Sequence, residues 1–372
     1  MSKGTGMASK VMAPVSRRRL LQGAAALGGA SLAGWRAALG AEPEKPKEMI
    51  VRAWGGVWVE ALEAGVSKPF TAATGIANKH DLTEDNELQP KLWAAVDQGR
   101  TPPVHVNWDT GTNAAKSILH GAGVDLSDVQ GLDKLLPAAK PVGMDGWPMI
   151  NSYSYAYVLA YRDEAFPGGA PTSWNVLLDP KFKGRVGLYD DGIGLHAVAQ
   201  IMGGGKLADI PGNMQPAWDF FKKLKEQKPL LGEDPDFTNW FQQGQVDVAC
   251  TILSNAREAK GNGVKVSWTV PQEGCDLEQD ALWVPKNPAD NEIYWAKRYV
   301  EFALTAKAQE DWCGKLGLTP VYPGINPPAD LAGDPAYPTK AEDFAKFIVV
   351  PINLRVQHEK EWFEKFNEIM QG

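Results

Sequence analysis

The chain has 372 residues, 44% of them hydrophobic, with 45 acidic against 38 basic side chains and a formal net charge of −7. That length is ample for a buried core and favours two domains, while the acidic balance argues against nucleic acid or an anionic membrane surface as a partner. Cys250, Cys275 and Cys313 are the only cysteines, an odd number that argues against a disulfide framework, and pairing of Cys275 with Cys313 is not expected.

Ser16-Arg17-Arg18-Arg19-Leu20-Leu21 leads into an Ala/Gly/Leu-rich run that ends near Leu39. A basic head, an apolar middle and a small-residue end make a secretory signal. The adjacent arginines before Leu-Leu resemble the twin-arginine export signal. Gly28, Gly29 and Gly34 interrupt the run, which is short against the roughly twenty residues of a membrane span. Ala38-Leu39-Gly40 suits a signal peptidase, so residues 1–40 are assigned as the signal. They hold six basic side chains (Lys3, Lys10, Arg17, Arg18, Arg19 and Arg36) and no acidic ones, leaving 32 basic against 45 acidic residues and a net charge of −13. The address implied is the periplasm, reached by the twin-arginine route.

Residues 41–47 read as a charged, solvated tether. Glu48 to Trp54 reads as a strand, Gly55-Gly56 breaks it, and Val57 to Thr74 has helical spacing. A helix over 88–98 and a strand over 104–108 follow, with Asp109 or Thr110 as the N-cap of the next helix. Strands are expected over 155–161 and 187–189. Asp190-Asp191-Gly192 and a helix over 195–202 come next, ended by Gly203-Gly204-Gly205. Val246 to Ile252, with Cys250 inside it, reads as a buried strand, and strands over 264–269 and 281–284 follow. Helices over 291–304, 306–314, 341–349 and 357–370 close the chain. Strands alternating with helices mean an α/β fold with mainly parallel sheets covered on both faces.

Pro171-Thr172-Ser173-Trp174-Asn175-Val176-Leu177-Leu178-Asp179-Pro180-Lys181-Phe182-Lys183-Gly184 resembles a stretch of bacterial extracellular solute-binding proteins, the substrate receptors of ABC importers, in the branch that includes spermidine/putrescine-binding proteins. Tyr153 to Asp163 resembles that family's outgoing crossover strand and Leu277 to Pro285 its return strand. Tyr299 to Pro320 resembles its C-terminal helix and turn. The resemblance implies a two-lobed periplasmic binding protein of type II, each lobe a mainly parallel sheet flanked by helices, joined by a two-strand hinge. Lobe 1 is expected over 48–150 with 284–325 and lobe 2 over 151–283 with 326–372. It further implies a monomer without a cofactor that binds a small-molecule ligand and meets an inner-membrane permease complex.

In open α/β sheets ligands sit beyond the carboxyl ends of the strands. That rule selects Trp54, Gly55, Trp108, Asp109, Thr110, Asp190, Asp191 and Asn255, with Glu278 and Asp280 at the hinge. Tyr153, Tyr155 and Tyr322 offer an apolar body with a hydroxyl. Aromatic faces and carboxylates favour an ammonium group. Each residue also has a structural reading: Trp54 as a core cap, Asp190 and Asp191 as helix caps, Asp280 as a backbone brace, Tyr153 and Tyr155 as hinge packing. Trp54, Asp191 and Asp280 match ligand-contacting positions of the polyamine-binding relatives. Gly194 stands where they place a second carboxylate, Ile252 near a tryptophan, Glu278 for another aromatic and Asp109 for a serine. A small amine-bearing or cationic solute is therefore expected, without insisting on spermidine or putrescine. No G-x-S-x-G elbow, H-E-x-x-H helix, phosphate loop or Tyr-Tyr pair is present, so the reading is a receptor and not an enzyme. A ligand sensor and, further off, an enzyme on the same scaffold are the alternatives.

Overall fold

The computed structural model describes residues 42–372. The export signal expected over 1–40 lies outside them. Residues Lys45–Gly372 form one compact unit.

The first half opens with β1 (Glu48–Arg52), α1 (Val57–Leu62), a π-turn at Glu63–Ser67, α2 (Lys68–Thr74), β2 (Ala77–Asp81), α3 (Asp85–Asp97), β3 (Val106–Thr110) and α4 (Gly111–Leu119). β1 lies between β2 and β3, parallel to both. After β4 (Ile150–Arg162) come β5 (Val186–Tyr189), α5 (His196–Met202), α6 (Gln215–Lys225), β6 (Leu230–Gly232), α7 (Asp234–Gln243), β7 (Val248–Ile252), α8 (Leu253–Gly261) and β8 (Val266–Thr269). Here β5 lies between β6 and β7, again parallel to both. The chain returns through β9 (Cys275–Trp283) to α9 (Asp290–Ala303), α10 (Ala306–Leu316) and β10 (Thr319–Pro320), then runs through β11 (Phe347–Ile348) to α11 (Ile352–Gln371).

Two parallel triplets thus flank a central antiparallel pair, in the order β2-β1-β3-β9-β4-β7-β5-β6. β4 and β9 run through both halves. β4 pairs with β9 along its first part and with β7 and β8 along its second. β9 pairs with β3 near its end and with β11 at its start. The cores are separate. One gathers Leu159, Trp174, Val198, Phe221, Phe237 and Phe366; another gathers Val51, Phe70, Trp108, Tyr299 and Trp312, with a smaller cluster around Leu92 and Trp283 beside it. Trp174, in the segment that resembles solute-binding proteins, is fully buried and donates its Nε1–H to the carbonyl of Gly274 at 2.8 Å.

Several expectations are corrected. Residues 341–349 form a 3₁₀ turn at Ala341–Lys346 followed by β11: Phe347 and Ile348 pair with Cys275 and Asp276, and the ladder outweighs local helical spacing. The return strand begins at Cys275, six residues before the strand expected over 281–284 and two before the segment that resembles the family's return strand, and both of its faces are covered. Asp109 lies inside β3, and Thr110 holds the N-cap position of α4 without a side-chain bond. The tether is tied down at Lys45, whose ammonium donates to the Thr74 carbonyl at 2.9 Å and lies 5.2 Å from the Trp295 ring centre. Helices α6, α7 and α8 were not anticipated. The three cysteines are free and buried.

Candidate functional site

Side chains two apart on a strand share a face, so Asp276, Glu278 and Asp280 line one face of β9. Tyr153 and Tyr155 on β4 stand opposite Asp280 and Glu278 in the ladder, and Tyr157 continues that row. The Tyr153 hydroxyl donates to Asp280 Oδ2, and the Tyr155 hydroxyl reaches Asp280 Oδ1 at 3.4 Å. Asp280 is 7% exposed, and among the described residues no cationic side chain pairs with it. Burial therefore dominates and pushes its carboxyl up to about 7; the Tyr153 hydroxyl opposes that rise, nearby Asp85 adds to it, and the backbone N–H of Gly111 and the Tyr155 hydroxyl oppose it. Gly111 opens α4 hard against β9: a Cβ there would come within 2.3 Å of the Gln279 carbonyl.

Aromatic rings surround this carboxylate. Trp58 lies 6.4 Å from Tyr153, 4.8 Å from Trp54 and 5.6 Å from Trp312, between ring centres. Trp54, Trp58 and Tyr155 are half-buried, and Gly55 is exposed beside them. The Trp58 indole N–H is buried without a partner. Trp58 escaped the sequence reading, since it comes from a helix and only its approach to Tyr153 reveals it, whereas Trp312, read from the sequence as a core or helix-face residue, is fully buried.

The other hinge carboxylates are already matched. Arg355, on α11, donates through Nη1 to Glu278 and through Nη2 to Asp276 at 3.0 and 3.2 Å. All three side chains are buried. Desolvation still lifts Glu278 to about 7 despite the guanidinium, and Asp276 and Asp280 add to the rise. Arg355 was not anticipated: nothing in its local sequence marks it, and it lies 77 residues from Glu278.

A second acidic group has its own arginine. Arg52 is fully buried, pairs with Asp85 through Nη2 and donates through Nη1 to the Trp108 carbonyl at 2.7 Å. Asp109 Oδ2 accepts from Trp283 Nε1 at 3.2 Å and from Asn107 at 3.4 Å. Burial, then Asp85, hold the Asp109 carboxyl well above its ordinary value. Alternation along β3 sends Trp108 into the core, 4.8 Å from Trp312 with no exposed surface, and Asp109 into the opposite face. Asn255 is also consumed, its amide donating to Asp234 at 2.9 Å, Thr251 at 3.0 Å and Tyr189 at 3.2 Å. Tyr322 is half-buried just past β10.

Asp190 and Asp191 follow β5. They line a cleft of about 690 Å³ together with Thr112, Glu233, Arg355 and Trp362. Asp191 Oδ1 accepts from the Ile193 N–H at 2.9 Å, and burial raises its carboxyl while Arg355 opposes the rise. Gly194 cannot carry a side chain, since a Cβ there would approach Tyr157 to 2.2 Å. Arg355 lines this cleft and, together with Glu278, also lines a void of about 10 Å³. Among the described residues no acid/histidine cluster is arranged for a metal.

The comparisons with known proteins decide the family. The model of the family described as bacterial extracellular solute-binding protein matches residues 66–339. The chain belongs to that family. It is 26% identical over 303 residues to spermidine/putrescine-binding periplasmic protein 1 of Haemophilus influenzae, covering 76% of this chain and 79% of that one. Among solved structures, an ABC transporter substrate-binding protein from Bradyrhizobium japonicum superposes with a TM-score of 0.73 at 20% identity, over 88% of this chain and all of that one. The spermidine/putrescine substrate-binding protein of Streptococcus pneumoniae superposes at 0.69 and 17% identity, over 87% of this chain and 100% of that one. These structures share the fold of this solute-binding protein, with its two sheets linked by crossover strands.

Proposed function

We propose that this solute-binding protein is the periplasmic receptor of an ABC importer, exported by the twin-arginine route, that captures a small amine-bearing or otherwise cationic solute and hands it unchanged to an inner-membrane permease. In this reading the two cores belong to lobe 1 (48–150 with 284–325) and lobe 2 (151–283 with 326–372), β4 and β9 form the hinge, and the receptor works as a monomer without a cofactor. One observation carries the ligand class: Asp280 is a buried carboxylate whose hydrogen-bonding side chains, among the described residues, are two tyrosines, with tryptophans beyond them. A buried charge without a counterion is costly. A solute ammonium would supply the counterion, and the rings would add cation–π attraction of about 0.5–2 kcal/mol. The acidic lining of the neighbouring cleft, Asp190, Asp191, Glu233 and Glu359 against Arg355 and Lys360, supports the same sign.

A thermal-shift screen of the protein lacking residues 1–40 tests this against amines, sugars and organic acids. A ligand at 100 times its Kd stabilises by about 2.7 kcal/mol, and the hits are expected among amines. Shifts by sugars or carboxylates alone would refute the cationic ligand and leave the receptor standing.

The shift also has a pH signature. Folding raises the Asp280 carboxyl from 3.8 to about 7, so the native state holds this proton more tightly than the unfolded state. The unliganded protein therefore loses stability as pH rises from about 4 to about 7, and the contribution is flat above that. An ammonium ligand needs the ionised form and must displace the proton below pH 7. The amine-induced rise in Tm is expected to grow from pH 5 to pH 7.5 and then level off; a rise that is constant over this range would exclude Asp280 as the ammonium partner.

A further inference from the structure

Three carboxylates share one face of β9, yet the protein treats them unequally. Asp276 and Glu278 both accept from Arg355, while among the described residues the side chains that bond Asp280 are Tyr153 and Tyr155. The void beside Glu278 measures about 10 Å³, at the lower limit of space for a single water and too small for an ammonium-bearing chain. Arg355 also lines the cleft that Asp191 lines. The guanidinium thus occupies the place in which a second cationic group of a solute would pair with Glu278.

We infer that Arg355 is a built-in counter-cation, supplied by α11, that removes Glu278 from the ligand's reach and leaves the hinge with one carboxylate for one ammonium group. The inference rests on the amine reading above and narrows its substrate class to solutes with a single cationic centre. Glu278 and Asp280 sit about 7 Å apart along the strand, a span that a short α,ω-diamine would bridge if both were free. With Arg355 in place, the second amine of such a ligand finds no bare hinge carboxylate. It meets the field of a guanidinium instead, and ordering the longer charged chain gains nothing.

The matched pair 1-aminobutane and putrescine differs only in the second ammonium, so calorimetric titration of both against the protein isolates its contribution. The expected ratio of affinities is threefold or less, which covers the statistical factor of two for a symmetric ligand. A preference for putrescine above threefold overturns the inference and leaves the amine reading intact. Failure of both amines, and of spermidine, to bind at millimolar concentration overturns the amine reading and the inference with it. A second arm uses Arg355→Met/Asp276→Asn, which removes the guanidinium and one acid together and leaves Glu278 bare. There the putrescine preference is expected to rise about tenfold or more over the unaltered protein, as for a charge-assisted hydrogen bond gained. A folded double variant with an unchanged ratio overturns the inference; the unaltered protein's ratio decides it where the variant does not fold.

Discussion

Asp280→Asn is expected to lower the affinity for an ammonium-bearing solute about a hundredfold and to leave the unliganded fold at least as stable as before. The first effect follows from the site's charge. A hydrogen bond to a charged group contributes about 1.5–3 kcal/mol, and removing one partner of a desolvated ionic contact costs about 2–5 kcal/mol. The second follows from the same burial. Asp280 is 7% exposed and its carboxyl is pushed up to about 7, so at pH 8 the folded chain holds an uncompensated charge that asparagine does not carry. The amide oxygen can still accept from Tyr153. Titration calorimetry and a urea melt at pH 8 together read the result. Equal affinity in the two proteins would take Asp280 out of the site, and a large loss of stability would make it a structural brace.

Arg355→Met is expected to act on stability, costing about 3–5 kcal/mol in a urea melt at neutral pH. That is the usual range for stripping one partner from a buried ion pair. Arg355, Asp276 and Glu278 are 8%, 2% and 7% exposed, so the two carboxylates left behind cannot recover their hydration. Arg355→Lys keeps the charge but loses the two-pronged geometry that serves both acids, and it should recover only part of the loss. The combined variant Arg355→Met/Asp276→Asn/Glu278→Gln leaves no orphaned charge and should regain most of the stability. If the single variant melts with the unaltered protein, the contacts to Glu278 and Asp276 are not holding the hinge.

Much of the architecture could be read from sequence because short-range signals reported it. Glycine breaks, β-branched runs and helical spacing located β1, β5, β7 and the helices after β9. Segment 171–184 carried the family. Asp280 was selected by its place on the return strand, and among the described residues no cationic side chain pairs with its carboxylate. The misses share one physical cause, long-range pairing. Arg355 and Glu278 are far apart in sequence, and an arginine on a helix reads as a solvated charge until the fold places it over β9. The expected strand ends at Trp108, with Asp109 just beyond it. Register showed β3 running through to Thr110, which turned one residue into core and the other toward Trp283. The turn at Ala341–Lys346 has helical spacing, but the strand after it is held by β9, a partner that local sequence does not name.

The last helix packs on both halves of the molecule. α11 lies against α4 and α6, Lys116 on α4 pairs with Glu359, and the Ile352 N–H donates to the Val142 carbonyl at 2.8 Å. Through Arg355 the same helix reaches the strand that carries Asp280. In the reading proposed above, a purification handle or fluorescent fusion placed behind Gly372 would load the helix that holds the hinge arginine, so binding constants measured with and without it are worth comparing. A reporter that leaves α11 untouched would read the receptor as it works.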